Sequence, residues 1–570
     1  MKIILKEYLA SLKERGDLDK SVLPNLLAEI GLRVLNTPMI GTRQNGVDIA
    51  AVGKIKGEDE ERYLYLFCIK AGNITRRDWD DGVQAVRPEL NEIRDVYLRT
   101  NVAAEYAGLP VRIILCCGGE LDETVLMNWA GYSTQNQTDR VSYQEWNGDR
   151  LADLMMRSLL ARELLDEAPR RSFQKAVAMV NEPSACYEYS RAFLHDLLEE
   201  GLVPSVQLLR LRQAYICLNA VTTWAIEANN LESIYTVSEL GVMLCWNIVR
   251  AQPHSRRPSK HDRELNVLLD QFIKHYLACS EQYLAKTVFE HSKPLHALST
   301  SVRSREAVDV NLALFELLGR LAIRGCWTAA LSQTFANAEP EFANALRDST
   351  FRILDTLVQL VNSNPTLNSP FKDDHMIEIA LVMYLAQMTG STPRFLPWLK
   401  SIAQLTTLAL VINSHYPTCF RDYADLLNHP VSADDSYRTE ACSGSILYPY
   451  LFVWLECAAS DDEKVEFKER LARFLPNCTH QAWLPDEETD ALIWRGETYH
   501  GVCVTDLSPQ RGFKEVAETL NVAIENCTDI NGISAVKSGF VVLFLAACRH
   551  YRLPIPPHFW LVNGKNPSFR

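Results

Sequence analysis

A carboxylate and an amine stand on two neighbouring apolar segments near the start of the chain. Gly46-Val47-Asp48-Ile49 opens the first, and Tyr63-Leu64-Tyr65-Leu66-Phe67-Cys68-Ile69-Lys70 forms the second and ends on a lysine. Read as adjacent strands joined through the charged turn Lys56-Gly57-Glu58-Asp59-Glu60-Glu61, they bring Asp48 and Lys70 to one sheet. Strand alternation then puts both side chains on a common face, if the register permits. The chemistry this suits is phosphodiester hydrolysis. That reaction needs a water activated near neutral pH and compensation for charge growing on phosphate, both of which a carboxylate-held Mg2+ (or Mn2+) supplies. A lysine beside the ion orients the nucleophile or offsets phosphate charge.

The elements that must position this pair alternate between helix and strand patterns up to about residue 165. Leu23, Leu26, Leu27 and Ile30 fall on one face of a helix that stops at Gly31. Strands are predicted over Leu32–Thr37, Gly46–Val52 and Arg62–Lys70. The spacing of Val83, Val86, Leu90, Ile93 and Tyr97 predicts a long helix over Asp78–Arg99, followed by a strand over Leu109–Cys117 that Gly118-Gly119 closes. Arg140–Trp146 reads as a further strand, and Asn147-Gly148-Asp149 as the cap of a helix from Arg150.

The order helix, three strands, helix, strand, with an acid after a glycine on the second strand and a lysine closing the third, resembles the PD-(D/E)xK nuclease superfamily. Its restriction-endonuclease-like branch, which includes Mrr-type enzymes, is the most similar. The resemblance covers residues 1–165. It implies a restriction-endonuclease-like α/β domain in which Asp48 is the metal-binding acid, Lys70 the lysine that serves the nucleophile, and Glu29 the auxiliary acid and second metal ligand from the first helix. One position departs from the pattern: Cys68 stands where the family carries an acid two residues before the lysine. A thiol is a poor ligand for Mg2+, which prefers hard oxygen donors.

Arg76, Arg77 and Trp79 follow the lysine, and Gln84 and Arg87 lie further along. Arginines beside an aromatic ring suit phosphate contact and base stacking, so Arg76, Arg77 and Gln84 are the nucleic-acid-binding candidates. The competing reading is a capped helix start, with Asp78 as its N-cap and Trp79 turned inward. A second basic run, from Arg250 through His254, Arg256, Arg257, Lys260, His261 and Arg263, reads as an exposed linker, or else as a stretch that tracks a nucleic-acid backbone or an acidic partner.

Length and charge bound the rest. A chain of 570 residues exceeds one hydrophobic core, and 47% hydrophobic with 23% charged residues is a folded composition. The net charge of −13 excludes general coating of nucleic acid and confines any contact to a local basic patch. Beyond residue 165 helical patterns dominate, at Val206–Glu227, Glu264–Leu277, Glu306–Ile323, Phe342–Val361, Met376–Met388 and Phe513–Asn526, with a small hairpin expected over Leu492–Leu507. Punctuation divides this region into helical domains over 166–365 and 366–570, possible homes for degenerate helical repeats. The 15 cysteines form no CxxC, and the most apolar windows, Ser445–Ala459 and Gly539–Cys548, are short of a membrane span, so a cytoplasmic protein without membrane contact is expected. GxxxxGK[ST], GxSxG and HExxH are absent. The sum is a metal-dependent nuclease acting on DNA sooner than RNA, its helical region meeting a trigger or protein partner, an arrangement that by analogy suits bacterial defence against foreign DNA. The alternatives are a catalytically inactive nucleic-acid-binding or assembly subunit, and a helical scaffold for protein partners.

Overall fold

The short apolar runs near the N-terminus resolve into one five-stranded sheet. The computed structural model describes residues 5–6, 9–10, 12, 18–36, 45–55, 58–82, 85–155, 167–198, 201–251 and 259–561. Helix α1 (Leu23–Glu29) buries Leu23, Leu26 and Leu27 and leads into β1 (Leu32–Asn36), β2 (Ile49–Gly53) and β3 (Tyr63–Lys70). Then come α2 (Arg76–Asp80), α3 (Val86–Glu92), β4 (Val111–Cys117), α4 (Glu123–Asn136), β5 (Val141–Trp146) and α5 (Gly148–Met155). The strands lie in the order β1-β2-β3-β4-β5. β1, β2 and β3 pair antiparallel, whereas β3 with β4 and β4 with β5 pair parallel, so the sheet is mixed.

Parallel pairing obliges the chain to cross back over the sheet, and α2, α3 and α4 make the two crossings. Their apolar residues Trp79, Val86, Leu90, Val125, Trp129 and Tyr132 pack on Ala50, Leu64, Leu66, Cys68, Ile113 and Leu115 of the sheet. On the other face Phe67 meets Trp146 edge-on at 5.2 Å. The expected helix over Asp78–Arg99 is instead broken in two. Gly82 has φ +106, and a proline inside a continuous helix would forfeit its N–H bond and clash with the preceding turn, so the helix that starts at Val86 carries Pro88 in its first turn. It widens to a π turn over Ile93–Tyr97. Helix α4 was not anticipated, because the exposed Leu126 and Met127 blur the face made by Val125, Trp129 and Tyr132.

Helix α2 starts on a capping box, in which the Thr75 N–H and hydroxyl donate to Asp78 Oδ2 at 2.9 and 2.7 Å. The cap residue is therefore Thr75 and not Asp78. Thr75→Ala is expected to cost about 1 kcal/mol, seen as a lower thermal midpoint. The charged turn before β3 also differs from expectation. Asp59 is buried, accepts from the Ile55 N–H at 2.7 Å and from the Tyr65 hydroxyl, and pairs with Arg112, whose guanidinium stacks 3.8 Å over Tyr63.

The chain groups into two compact units, residues 1–279 and 280–570. The positions expected as domain boundaries, 165 and 365, fall inside these units. The first unit joins the sheet to helices Glu167–Ala178, Pro183–Leu197, Pro204–Glu227 (α6) and Leu231–Val249, and Lys260–Thr287 runs across the division. The second is helical, with long members Ala307–Phe335, Pro340–Ser363, Met376–Met388 and Leu396–Ile412. The windows read as buried core helices are Leu447–Ala458 and Val541–His550. No hairpin spans 492–507: Ile493–Arg495 is helical, and Val502–Val504 pairs with the earlier Ala482–Leu484. Among the described residues no helix is long and apolar enough to cross a membrane.

Candidate functional site

The register of β2 against β3 decides whether Asp48 and Lys70 meet. Ile49 pairs with Phe67, and the Asp48 N–H also donates to the Phe67 carbonyl at 2.9 Å, one residue out of the paired register, which holds Asp48 at the entrance to β2. From there its carboxylate comes within 4.8 Å of the Cys68 sulfur, and Lys70, two residues beyond Cys68 on β3, lies on the same face as that thiol. One Asp48 oxygen, Oδ2, accepts the Ile69 N–H at 2.7 Å, which fixes the carboxylate at the strand end.

A second carboxylate arrives from α3. Glu89 Oε2 accepts from Lys70 Nζ at 2.7 Å and from Cys68 Sγ at 3.2 Å. Its carboxylate stands beside the thiol of residue 68. Gly46 makes this approach possible: its φ is +80, and a Cβ there would run into the Glu89 carbonyl. Only a bare, left-handed backbone lets the entrance to β2 lie against α3. Ligand atoms of Asp48, Cys68 and Glu89 all lie within 4.8 Å of one another.

The electrostatics follow from burial. Burial raises the Asp48 carboxyl to about 6; the Ile69 N–H and Lys70 oppose this, while the charges of Glu89 and Asp19 add to it. The Cys68 thiol is fully buried and held well above its ordinary value by that burial and by Glu89. Burial works against the Lys70 ammonium, yet Cys68, Glu89 and Asp48 together hold it above its usual value. Asp19, in the π turn Leu18–Val22 before α1, is 5% exposed, and its Oδ1 has no hydrogen-bond partner among the described residues. Hard oxygens from Asp48 and Glu89, with a further buried carboxylate acting on the same spot, fit a divalent cation.

Of the residues expected at the site, Asp48 and Lys70 come together and Glu29 does not join them. Glu29 turns to α6, where it pairs with Arg212, which also bonds Glu264 at 3.1 Å. Arg76 and Arg77 are exposed at the start of α2, close behind the lysine, and Trp79 is 1% exposed against Trp129 and Tyr132, so it offers no ring for base stacking. Gln84 lies outside the described residues. In the second basic run 252–258 are likewise outside them, and Arg250 and His261 bond Asn247 and Gln207 at 3.0 and 3.1 Å. Sequence reasoning missed Glu89, although an acid between Val86 and Ile93, beside Leu90 on the inward face of a helix, was a visible signal.

Comparison of the chain with protein families, with curated proteins and with solved structures finds no match.

Proposed function

We propose that the N-terminal sheet domain is a restriction-endonuclease-like, divalent-cation-dependent nuclease, with DNA its first expected substrate, and that the helical region receives a partner or trigger. The observation that carries this reading is the meeting of Asp48, Lys70 and Glu89 at one end of β3, with Lys70 Nζ 2.7 Å from Glu89. Asp48 and Glu89 hold the ion, with Asp19 supplementing their negative charge. When bound, a divalent cation such as Mg2+ or Mn2+ supplies a Lewis acid for the phosphate and lowers the pKa of the attacking water. Lys70 carries the donor that orients this water or meets a phosphate oxygen. Arg76 and Arg77, exposed just beyond, draw the strand's neighbouring phosphates.

The test is cleavage of plasmid DNA, and of single-stranded RNA, with Mg2+ or Mn2+ against chelator. Wild-type protein is expected to cut. Lys70→Ala is expected to slow cutting by about 100-fold with the fold retained by circular dichroism. Wild-type protein that binds DNA in a salt-sensitive mobility shift but never cuts it would overturn the catalytic reading and favour a binding subunit. The specific observation behind that alternative is the buried Cys68 thiol in place of an acid.

A further inference from the structure

We infer that Cys68 is itself a metal ligand, and that the site formed by Asp48, Cys68 and Glu89 selects a thiophilic divalent ion of the Zn2+ or Co2+ class over Mg2+. This rests on the cation site proposed above and names the ion it takes. Three observations support it. First, the sulfur lies among the oxygens: Cys68 Sγ is 3.2 Å from Glu89 Oε2, and the three ligand atoms span no more than 4.8 Å. Donors around a tetrahedral ion with bonds of about 2.0–2.3 Å stand ~3.5 Å apart, so small side-chain rotations close the set.

Second, the site calls for positive charge. Asp48 feels the carboxylates of Glu89 and Asp19 along with the ammonium of Lys70, and the Asp19 oxygen Oδ1, in a residue 5% exposed, has no hydrogen-bond partner among the described residues. Buried carboxylate charge of this kind is stabilised by a cation. Third, the Cys68 thiol and Lys70 Nζ converge on one Glu89 oxygen, at 3.2 and 2.7 Å, so the sulfur belongs to the same charged cluster as the carboxylates and does not stand apart from it. Mg2+ demands an octahedron of oxygens, whereas Zn2+ and Co2+ accept mixed sulfur and oxygen donors in four-coordinate sites. On binding, the S–H bond of Cys68 breaks, its electron pair forms the sulfur–metal bond, and the proton leaves to water.

Cobalt reports this directly, since a thiolate ligand gives a sulfur-to-cobalt charge-transfer absorption in the near ultraviolet. Full-length protein titrated with CoCl2 is expected to develop that band. Cys68→Ser is expected to lose the band and to weaken Zn2+ binding by calorimetry on the order of 100-fold, with Mg2+ binding changed little. Glu89→Gln, which leaves the thiol in place, is expected to reduce the band as well, and it serves as the second variant should Cys68→Ser fail to fold. Co2+ binding without the band, or a band that survives Cys68→Ser, overturns thiolate ligation while the oxygen site stands. Absence of calorimetric binding by Co2+, Zn2+, Mn2+ and Mg2+ alike overturns the cation site and this inference with it.

Discussion

Asp48→Asn is expected to end strand cleavage and, at the same time, to make the protein more stable. The loss follows from removing a charged oxygen that grips the ion, and a reduction of roughly 1,000-fold or more is expected in the plasmid assay. The gain follows from burial. Folding lifts the Asp48 carboxyl from 3.8 to about 6, so the folded state favours the protonated form. The resulting penalty is absent below pH 3.8, grows as pH rises toward 6, and is fully present above it. A shift of that size amounts to about 2–3 kcal/mol at 1.36 kcal/mol per pKa unit. Asparagine keeps an oxygen for the Ile69 N–H and sheds the charge. Its thermal midpoint should exceed that of wild type at neutral pH, converge with it on acidification, and lose part of its advantage when a divalent cation is added. Equal midpoints at neutral pH would contradict the half-buried, charged Asp48.

Gly46→Ala is expected to damage both fold and site. The φ of +80 lies in the left-handed region, which costs an alanine about 1–2 kcal/mol. The new methyl would also press on the Glu89 carbonyl, a backbone atom that cannot swing aside as a side-chain end would. Overpacking of this kind costs a further 1–3 kcal/mol or so, giving about 2–5 kcal/mol in all. The denaturation midpoint of the N-terminal unit should fall accordingly. Because β2 and α3 would be forced apart, Glu89 should also leave Lys70 and Cys68, and cleavage should fall even under conditions where the variant is folded. A folded variant with full activity would show that the contact between Gly46 and α3 does not build the site.

Local pattern carried much of this arrangement. The continuous apolar run Tyr63–Lys70 and the helical spacing of Leu23, Leu26 and Leu27 are both local signals, and each forms the element it suggests. Asp48 and Lys70 do meet, but through an out-of-register bond at the entrance to β2 that alternation along the strand could not foretell. Glu29 failed because nothing local marks where a helical acid will turn. Its partner Arg212 lies 183 residues away, on a helix whose docking is a tertiary event. Glu89 was hidden differently. With Asp78–Arg99 read as one continuous helix, the inward turn of the segment after Pro88 was not apparent, and the acid passed as one more polar residue on a charged helix. Cys68 was legible as an irregularity, but only the 3.2 Å contact with Glu89 shows that a carboxylate stands beside the thiol. In the helical region the periodic segments were visible, whereas pairings such as Val502–Val504 with Ala482–Leu484 depend on loops that carry no comparable repeat.

The most direct measurement is an anomalous difference map from crystals of the protein soaked in MnCl2. A peak within coordination distance of both Asp48 and Glu89, beside Lys70 and gone in Asp48→Asn, is expected. At saturating Mn2+, an empty map at these residues, or peaks only elsewhere on the chain, would contradict the cation site on which the nuclease reading depends.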